Sequence, residues 1–204
     1  MARVSAILTA AGESTRMGAP KPLLPWRGAI LIEHQVACLL EGGCDEVIVV
    51  LGHAADQVAP FVRGDGVRAV VNSDYRLGKT TSIKAGLAHA DPTAFAILLL
   101  AVDQPRTASI VGQVVRAHLD AGALITSPRY NGRGGHPLIF SAELRGELER
   151  ITEENQGIRE VFEAHRSDVL EVHLDDPMLR LDLNTPEAYD AAFARWGTVT
   201  EHLE

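Results

Sequence analysis

Leu8-Thr9-Ala10-Ala11-Gly12-Glu13-Ser14-Thr15-Arg16-Met17-Gly18-Ala19-Pro20-Lys21 is a loop of small residues that ends in two cations, and its reading decides the fold. Before it, Val4-Ser5-Ala6-Ile7-Leu8 is a short apolar run of the kind that becomes a buried strand. After it, apolar residues recur at helical spacing from Leu23 to Leu40. The loop therefore leaves the carboxyl end of a first strand, which is where open α/β sheets bind ligands. Ala10, Ala11 and Gly12 are small enough for backbone N–H groups to approach a phosphate closely. Arg16 and Lys21 supply cations that can hold a triphosphate. The stretch reads as a nucleotide site.

It is not a P-loop. That motif separates its first glycine from Gly-Lys-Ser/Thr by four residues, whereas here five residues separate Gly12 from Gly18 and Lys21 comes three later. Gly78-Lys79-Thr80 has Ser73 where the first glycine should stand, so it reads as a loop opening a helix. No Gly-x-Gly-x-x-Gly follows the first strand.

Apolar periods alternate along the rest of the chain. Strands are expected at Val4–Leu8, Glu46–Leu51, Val67–Val71, Ala94–Ala101, Ala123–Ser127, Leu138–Phe140 and Val169–His173. Helices are expected at Ala29–Leu40, Ala55–Val62, Thr80–Ala88, Ala108–Leu119, Ala142–Arg150, Gly157–His165 and Pro186–Ala194. Continuous apolar strands joined by helices imply a three-layer α/β fold, a doubly wound and mostly parallel sheet. Tyr130-Asn131-Gly132 signals a tight reversal, so Leu138–Phe140 is expected to run antiparallel to its neighbour. One domain over residues 1–196 and a frayed tail over 197–204 complete the expectation.

A second landmark is Leu98-Leu99-Leu100-Ala101-Val102-Asp103-Gln104-Pro105. An aliphatic strand ends there in a carboxylate, well placed to hold Mg²⁺ between the protein and a triphosphate. Asp103 could instead cap the following helix, but Thr107 stands closer to that helix start.

Composition narrows the partners. The chain has 204 residues, enough to bury a substantial core in one unit. Its 19 basic and 27 acidic side chains give a net charge of −8, which argues against a nucleic acid held by its phosphates. Ala94 to Val102 is too short to span a bilayer, and Cys38 and Cys44 have the spacing of two reduced thiols, not of a metal pair. These features describe a cytoplasmic enzyme without a membrane partner.

Residue for residue, the first loop resembles the signature L-x-A-[AG]-G-x-S-x-R-M-G-x-x-K of nucleotidyltransferases similar to molybdenum cofactor cytidylyltransferase and molybdopterin guanylyltransferase. The resemblance runs from Val4 to Tyr189 and implies a Rossmann-like nucleotidyltransferase fold. It implies transfer of CMP from CTP to the phosphate of a molybdenum-bound molybdopterin, with Mg²⁺ and release of pyrophosphate. Catalytic roles would fall to Arg16, Lys21 and Asp103. Nucleotide contacts would come from Leu8, Ala10, Ala11, Gly12, Ser14, Arg16, Lys21, Asn72, Gly78 and Ser82. Asp182-Leu183-Asn184-Thr185-Pro186-Glu187 is similar to the family segment that supplies a second metal ligand, which points to Asn184, with Asp182 in reserve. By composition alone the same residues read as a strand end followed by an N-cap Thr185 and a proline in the first turn.

The loop Asn131-Gly132-Arg133-Gly134-Gly135-His136-Pro137 suits an anionic acceptor by its glycines and arginine, or forms a plain hairpin turn. It resembles the G-R-x-G-H-P segment of the cytidylyl branch, which implies acceptor contacts from Arg133, Gly134 and His136. Two positions depart from the family pattern, Val102 in place of a glycine and Lys79 in place of a methionine, and Asn184 stands where the cytidylyl branch often carries aspartate, nearer the guanylyl form. A guanylyltransferase, a cytidylyltransferase for another small phosphate, and a non-catalytic nucleotide-binding accessory of a molybdenum hydroxylase remain as alternatives.

Overall fold

Alternation along the first strand shows how both faces of the sheet are filled. In β1 (Val4–Ala10), Ala6, Leu8 and Ala10 pack into one apolar core while Ile7 packs into another on the opposite face. The computed structural model describes residues 3–198. The remaining strands are β2 (Pro25–Trp26), β3 (Ala29–Ile30), β4 (Glu46–Leu51), β5 (Val67–Val71), β6 (Ala96–Ala101), β7 (Ile125–Tyr130), β8 (Arg133–Gly134), β9 (Leu138–Ser141) and β10 (Val169–His173). The helices are α1 (Leu31–Glu41), α2 (Ala55–Val58), α3 (Lys79–Leu87), α4 (Ala108–Ala121), α5 (Arg145–Leu148), α6 (Ile158–Ala164) and α7 (Pro186–Ala192).

The main sheet runs β10-β7-β9-β6-β1-β4-β5, with β8 added to β7. Pairing is parallel between β1 and β4, β1 and β6, β4 and β5, and β7 and β10. The expected reversal is present: β9 is antiparallel to both β6 and β7. The chain winds from β1 outward through β4 and β5, then returns to place β6 on the other side of β1. That leaves a switch point between β1 and β6, where a crevice opens at the carboxyl ends of the strands. Side chains of α1 and α4 fill the core on one face of the sheet. Leu87 of α3, Leu148 of α5 and Val161 of α6 fill the other. The mostly parallel, three-layer α/β expectation holds.

Local corrections have local causes. The helix expected over Ala29–Leu40 begins only at Leu31, because Arg27 (φ 50°) and Gly28 (φ 79°) turn the chain so that Trp26 pairs with Ala29. This hairpin buries Trp26 completely. The helix expected over Ala55–Val62 ends at Val58 and gives way to a 3₁₀ turn, Ala59–Phe61, containing Pro60, which has no N–H to donate. Ala142–Arg150 divides in the same way into a 3₁₀ turn, Ala142–Leu144, and α5. The last helix stops at Ala192 and continues as a π turn, Phe193–Gly197. Gly197, read as the start of a frayed tail, accepts a hydrogen bond from the Arg27 N–H at 2.6 Å. Residues 199–204 of that tail lie outside the described residues.

Both threonines proposed as caps act as caps. Thr107 accepts from the Ile110 N–H and Thr185 from the Ala188 N–H, each at 3.2 Å. Asn131 (φ 49°) and Gly132 (φ 73°) form the two-residue turn that joins β7 to β8. Cys38 and Cys44 are free thiols, and burial pushes Cys44 up to about 12. No helix among the described residues is long and apolar enough to cross a membrane.

One buried histidine sets an acid limit on stability. His118 of α4 is fully buried, its Nδ1 2.8 Å from the Thr126 hydroxyl of β7, and burial lowers its pKa to about 4. The unfolded chain takes up this proton near pH 6.5, before the folded chain does. Stability from this group is therefore complete above that pH and is lost as pH falls from about 6.5 to about 4. The loss amounts to on the order of 3 kcal/mol at the lower end. Chemical unfolding from pH 7.5 to 4.5 should show this decline, and His118→Gln should flatten it in part, since burial lowers His136 to about 4 as well. An equal slope in both proteins would assign the acid sensitivity elsewhere.

Candidate active site

The crevice at the switch point holds a cavity of about 410 Å³. Thr9, Ala10, Ala11 and Gly12 line it from the end of β1, and Leu99 through Gln104 from the end of β6. Because β9 runs the other way, its first residue, Leu138, opposes Leu99 and lines the same cavity, with His136 just before it. The far wall comes from Gly78, Lys79, Ser82 and Ile83 at the start of α3. One antiparallel strand thus delivers a third loop to the end of the sheet where the parallel strands deliver theirs.

The loop after β1 folds back on itself before reaching Lys21. Ser14 adopts a left-handed backbone (φ 52°), its carbonyl accepts from the Met17 N–H at 2.8 Å, and its hydroxyl accepts from the Lys21 N–H at 3.2 Å. These bonds aim the lysine into the crevice. Its Nζ donates to Asp103 Oδ2 at 2.7 Å and to Asn184 Oδ1 at 3.0 Å. The lysine and aspartate side chains are 12% and 24% exposed, so this ion pair is largely withdrawn from water and weakly screened. Asn184 is held near Asp103 by backbone pairing, since the Leu183 N–H donates to the Asp103 carbonyl at 2.8 Å. The reserve candidate, Asp182, instead accepts from the Gln104 side-chain amide at 2.9 Å.

Other residues singled out in the sequence divide between wall and support. Ala10, Ala11, Gly12, Ser14, Lys21, Gly78, Ser82, Asp103 and His136 line the cavity. A Cβ at Gly12 would meet no protein atom within 4 Å, so the space beside it is open to a ligand. Leu8 does not line the cavity. Its side chain is wholly buried on the α1 face of β1, because alternation turns it away from the crevice. Asn72 also faces elsewhere: its amide donates to Thr81 Oγ1 at 2.9 Å and Ser82 Oγ at 3.0 Å, bracing the first turn of α3. Arg16 is exposed outside the cavity wall, as is Arg133 in the β7–β8 hairpin with Gly134 behind it. His136 is held neutral near pH 7, its pKa lowered to about 4 by burial and then by the Arg106 charge.

Sequence reasoning missed two supporting side chains. Glu153 accepts from the Thr80 N–H at 2.7 Å, capping α3 from a loop far along the chain, and sits so close to Gly78 that a Cβ there would overlap it. Arg106, the residue after the Asp103-Gln104-Pro105 turn, is fully buried. Neither position carries a local pattern that would have marked it.

Asp103 and Asn184 present hard oxygen donors that converge on the Lys21 ammonium, beside the loop after β1. Such a pair fits a small divalent cation, which commonly takes one or two protein oxygens and completes its shell with water and substrate phosphates. Among the described residues no group of three or more His, Cys, Asp or Glu side chains could hold a metal without such help.

A doubly wound sheet brings a glycine loop after β1, a lysine at its end and a carboxylate after β6 to one crevice, and the class it belongs to is that of the nucleoside-triphosphate transferases. The chain belongs to the MobA-like NTP transferase domain family, whose model matches residues 6–169. It is 37% identical over 164 residues to nicotine blue oxidoreductase of Paenarthrobacter nicotinovorans, covering 76% of this chain and 79% of that one. It is 27% identical over 198 residues to molybdenum cofactor cytidylyltransferase of Escherichia coli, covering 96% and 98%. The crystal structure of Rv0371c from Mycobacterium tuberculosis matches with a TM-score of 0.82 at 28% identity over 95% of this chain and 98% of that chain. A manganese complex of that protein matches with a TM-score of 0.78.

Proposed function

We propose that this protein transfers CMP from CTP to the phosphate of a molybdopterin-type acceptor, releasing pyrophosphate. The observation that carries the reading is the meeting of Lys21, Asp103 and Asn184 beside a cavity that Ala10, Ala11, Gly12, Lys21 and Asp103 line. An acceptor phosphate oxygen attacks the α-phosphorus of the triphosphate in line; the new P–O bond forms as the bond to the bridging oxygen breaks. Such a transfer depends on positioning and charge neutralisation more than on a protein nucleophile.

Each side chain has a role in that scheme. Asp103 and Asn184 would hold Mg²⁺, which neutralises phosphate charge when bound. Lys21 then turns its ammonium from these two oxygens to the triphosphate, and the backbone of Ala10 to Gly12 cradles it. Arg16, exposed at the surface, closes over the outer phosphates. Gly78 and Ser82 border the base and ribose, with Asn72 supporting Ser82. The neutral imidazole of His136, with Arg133 and Gly134 behind it, faces the acceptor. A molybdenum hydroxylase would be the consumer of the product.

A second reading rests on the 37% identity to a protein named an oxidoreductase, which places redox chemistry on a similar scaffold. Purified protein with Mg²⁺, molybdenum-loaded molybdopterin and one of CTP, GTP or ATP distinguishes them. CTP should be consumed well ahead of the purines, since unpaired buried polar groups can reject a wrong base by several powers of ten. A preference for GTP would keep the mechanism and change the base. No pyrophosphate with any nucleotide would remove the transferase reading and leave the oxidoreductase or a nucleotide-binding accessory.

A further inference from the structure

We propose that Arg106 is a positioning residue, whose buried guanidinium locks the loops bearing His136 and Asn184 onto the loop bearing Asp103. The inference rests on the transferase reading for the roles of those three residues, but its geometry stands without it.

The side chain is 0% exposed and lines no part of the cavity, so it touches no substrate. Among the described residues, all of its hydrogen bonds end on backbone carbonyls. Nε donates to His136 at 2.8 Å, Nη1 to Pro105 at 2.8 Å and to Leu181 at 3.1 Å, and Nη2 to Leu179 at 3.0 Å. These acceptors come from three separate segments. Pro105 follows Asp103 by two residues, His136 is in the cavity wall, and Leu179 and Leu181 lead into Asn184. The Arg106 backbone is itself anchored to α1: its N–H donates to Gln35 Oε1 at 3.0 Å, and Gln35 Nε2 donates to the Gln104 carbonyl at 2.7 Å.

The arrangement is costly, which is why it points beyond ordinary packing. No carboxylate among the described residues contacts the guanidinium, and burying a charge without one is unfavourable unless its donors are well used. Burial lowers the guanidinium's pKa to about 10, with Asp182, Asp176 and Asp103 opposing that shift from a distance, so it stays charged at neutral pH. A planar fork can bridge carbonyls from several segments at fixed angles, and a lysine ammonium on a flexible stem cannot. An apolar side chain would fill the volume at less cost but would leave the Pro105, His136 and Leu181 carbonyls unpaired, Leu179 keeping only the His136 N–H at 3.4 Å.

Arg106→Lys, which keeps the charge and removes the fork, is the informative variant. Its kcat for pyrophosphate release should fall about 10- to 100-fold, as expected when reacting groups are misplaced by an ångström. KM for CTP should stay within about threefold, because Arg106 does not touch the phosphate loop. Hydrogen exchange should accelerate at Gly135, His136 and residues 179–184 beyond the change in global stability. A core variant matched for melting temperature, at Ile125 on the opposite face, supplies the comparison. Unchanged kcat, or exchange that rises as uniformly as in the Ile125 variant, would overturn the proposal. If the wild-type protein turns over no triphosphate, the transferase reading fails, and exchange alone decides whether Arg106 holds these loops.

Discussion

Asp103→Ala should abolish pyrophosphate release with Mg²⁺, by about three powers of ten or more, while unfolding stays cooperative. The carboxylate sits past the end of β6, outside both apolar cores, so the sheet does not depend on it. It is also the only full negative charge that contacts Lys21 among the described residues. Removing it leaves a mostly buried ammonium with one neutral partner, Asn184, and some stability will be lost on that account. Asp103→Asn separates the two effects. The amide oxygen can still accept from Lys21, so stability should return while activity does not. Mn²⁺ binding should weaken in both variants, and Asn184→Ala should reduce activity less, because Asp182 or water can supply an oxygen. Near-normal turnover in either Asp103 variant would remove the residue from the reaction.

Lys21→Ala should lower kcat by on the order of two powers of ten, the usual cost of losing a charge that meets developing negative charge. Here the structure adds a signature that rate alone lacks. The Lys21 ammonium holds the same two oxygens assigned to the metal, so the ligand-free protein carries an internal competitor for that site. Lys21→Ala should therefore bind Mn²⁺ in the absence of nucleotide at least as tightly as wild type, despite its lost activity. Weaker metal binding would mean that the lysine organises the oxygens and does not compete for them. Arg16→Lys should also slow the reaction, because lysine loses the bidentate phosphate contact.

Much of this was legible along the chain. Val4–Leu8, the small-residue loop and Lys21 are contiguous, and a strand, a tight loop and a helix leave local periodic marks. Thr107 and Thr185 announced helix starts, and Asn131-Gly132 announced a hairpin, because caps and turns are decided by residues within a few positions of each other. Errors near Ala29 and Gly197 arose where local patterns competed with tertiary contacts, as in the hairpin that buries Trp26.

The geometry of the site was decided only by tertiary structure. Lys21 lies 82 residues from Asp103 and 163 from Asn184, and no period in the chain encodes pairings over such distances. That Asn184 and not Asp182 meets the lysine follows from the Leu183 bond to the Asp103 carbonyl, and Leu8 faces the core because of the sheet's alternation. Arg106 was invisible for a related reason: its partners are all backbone carbonyls, which every residue carries, so nothing in their side chains marks the contact. The sequence by itself determined the strand, the phosphate loop and the charged residues available to it. Strand order and the crossing of distant loops determined which of those residues meet, because only the folded chain brings their short-range forces within reach.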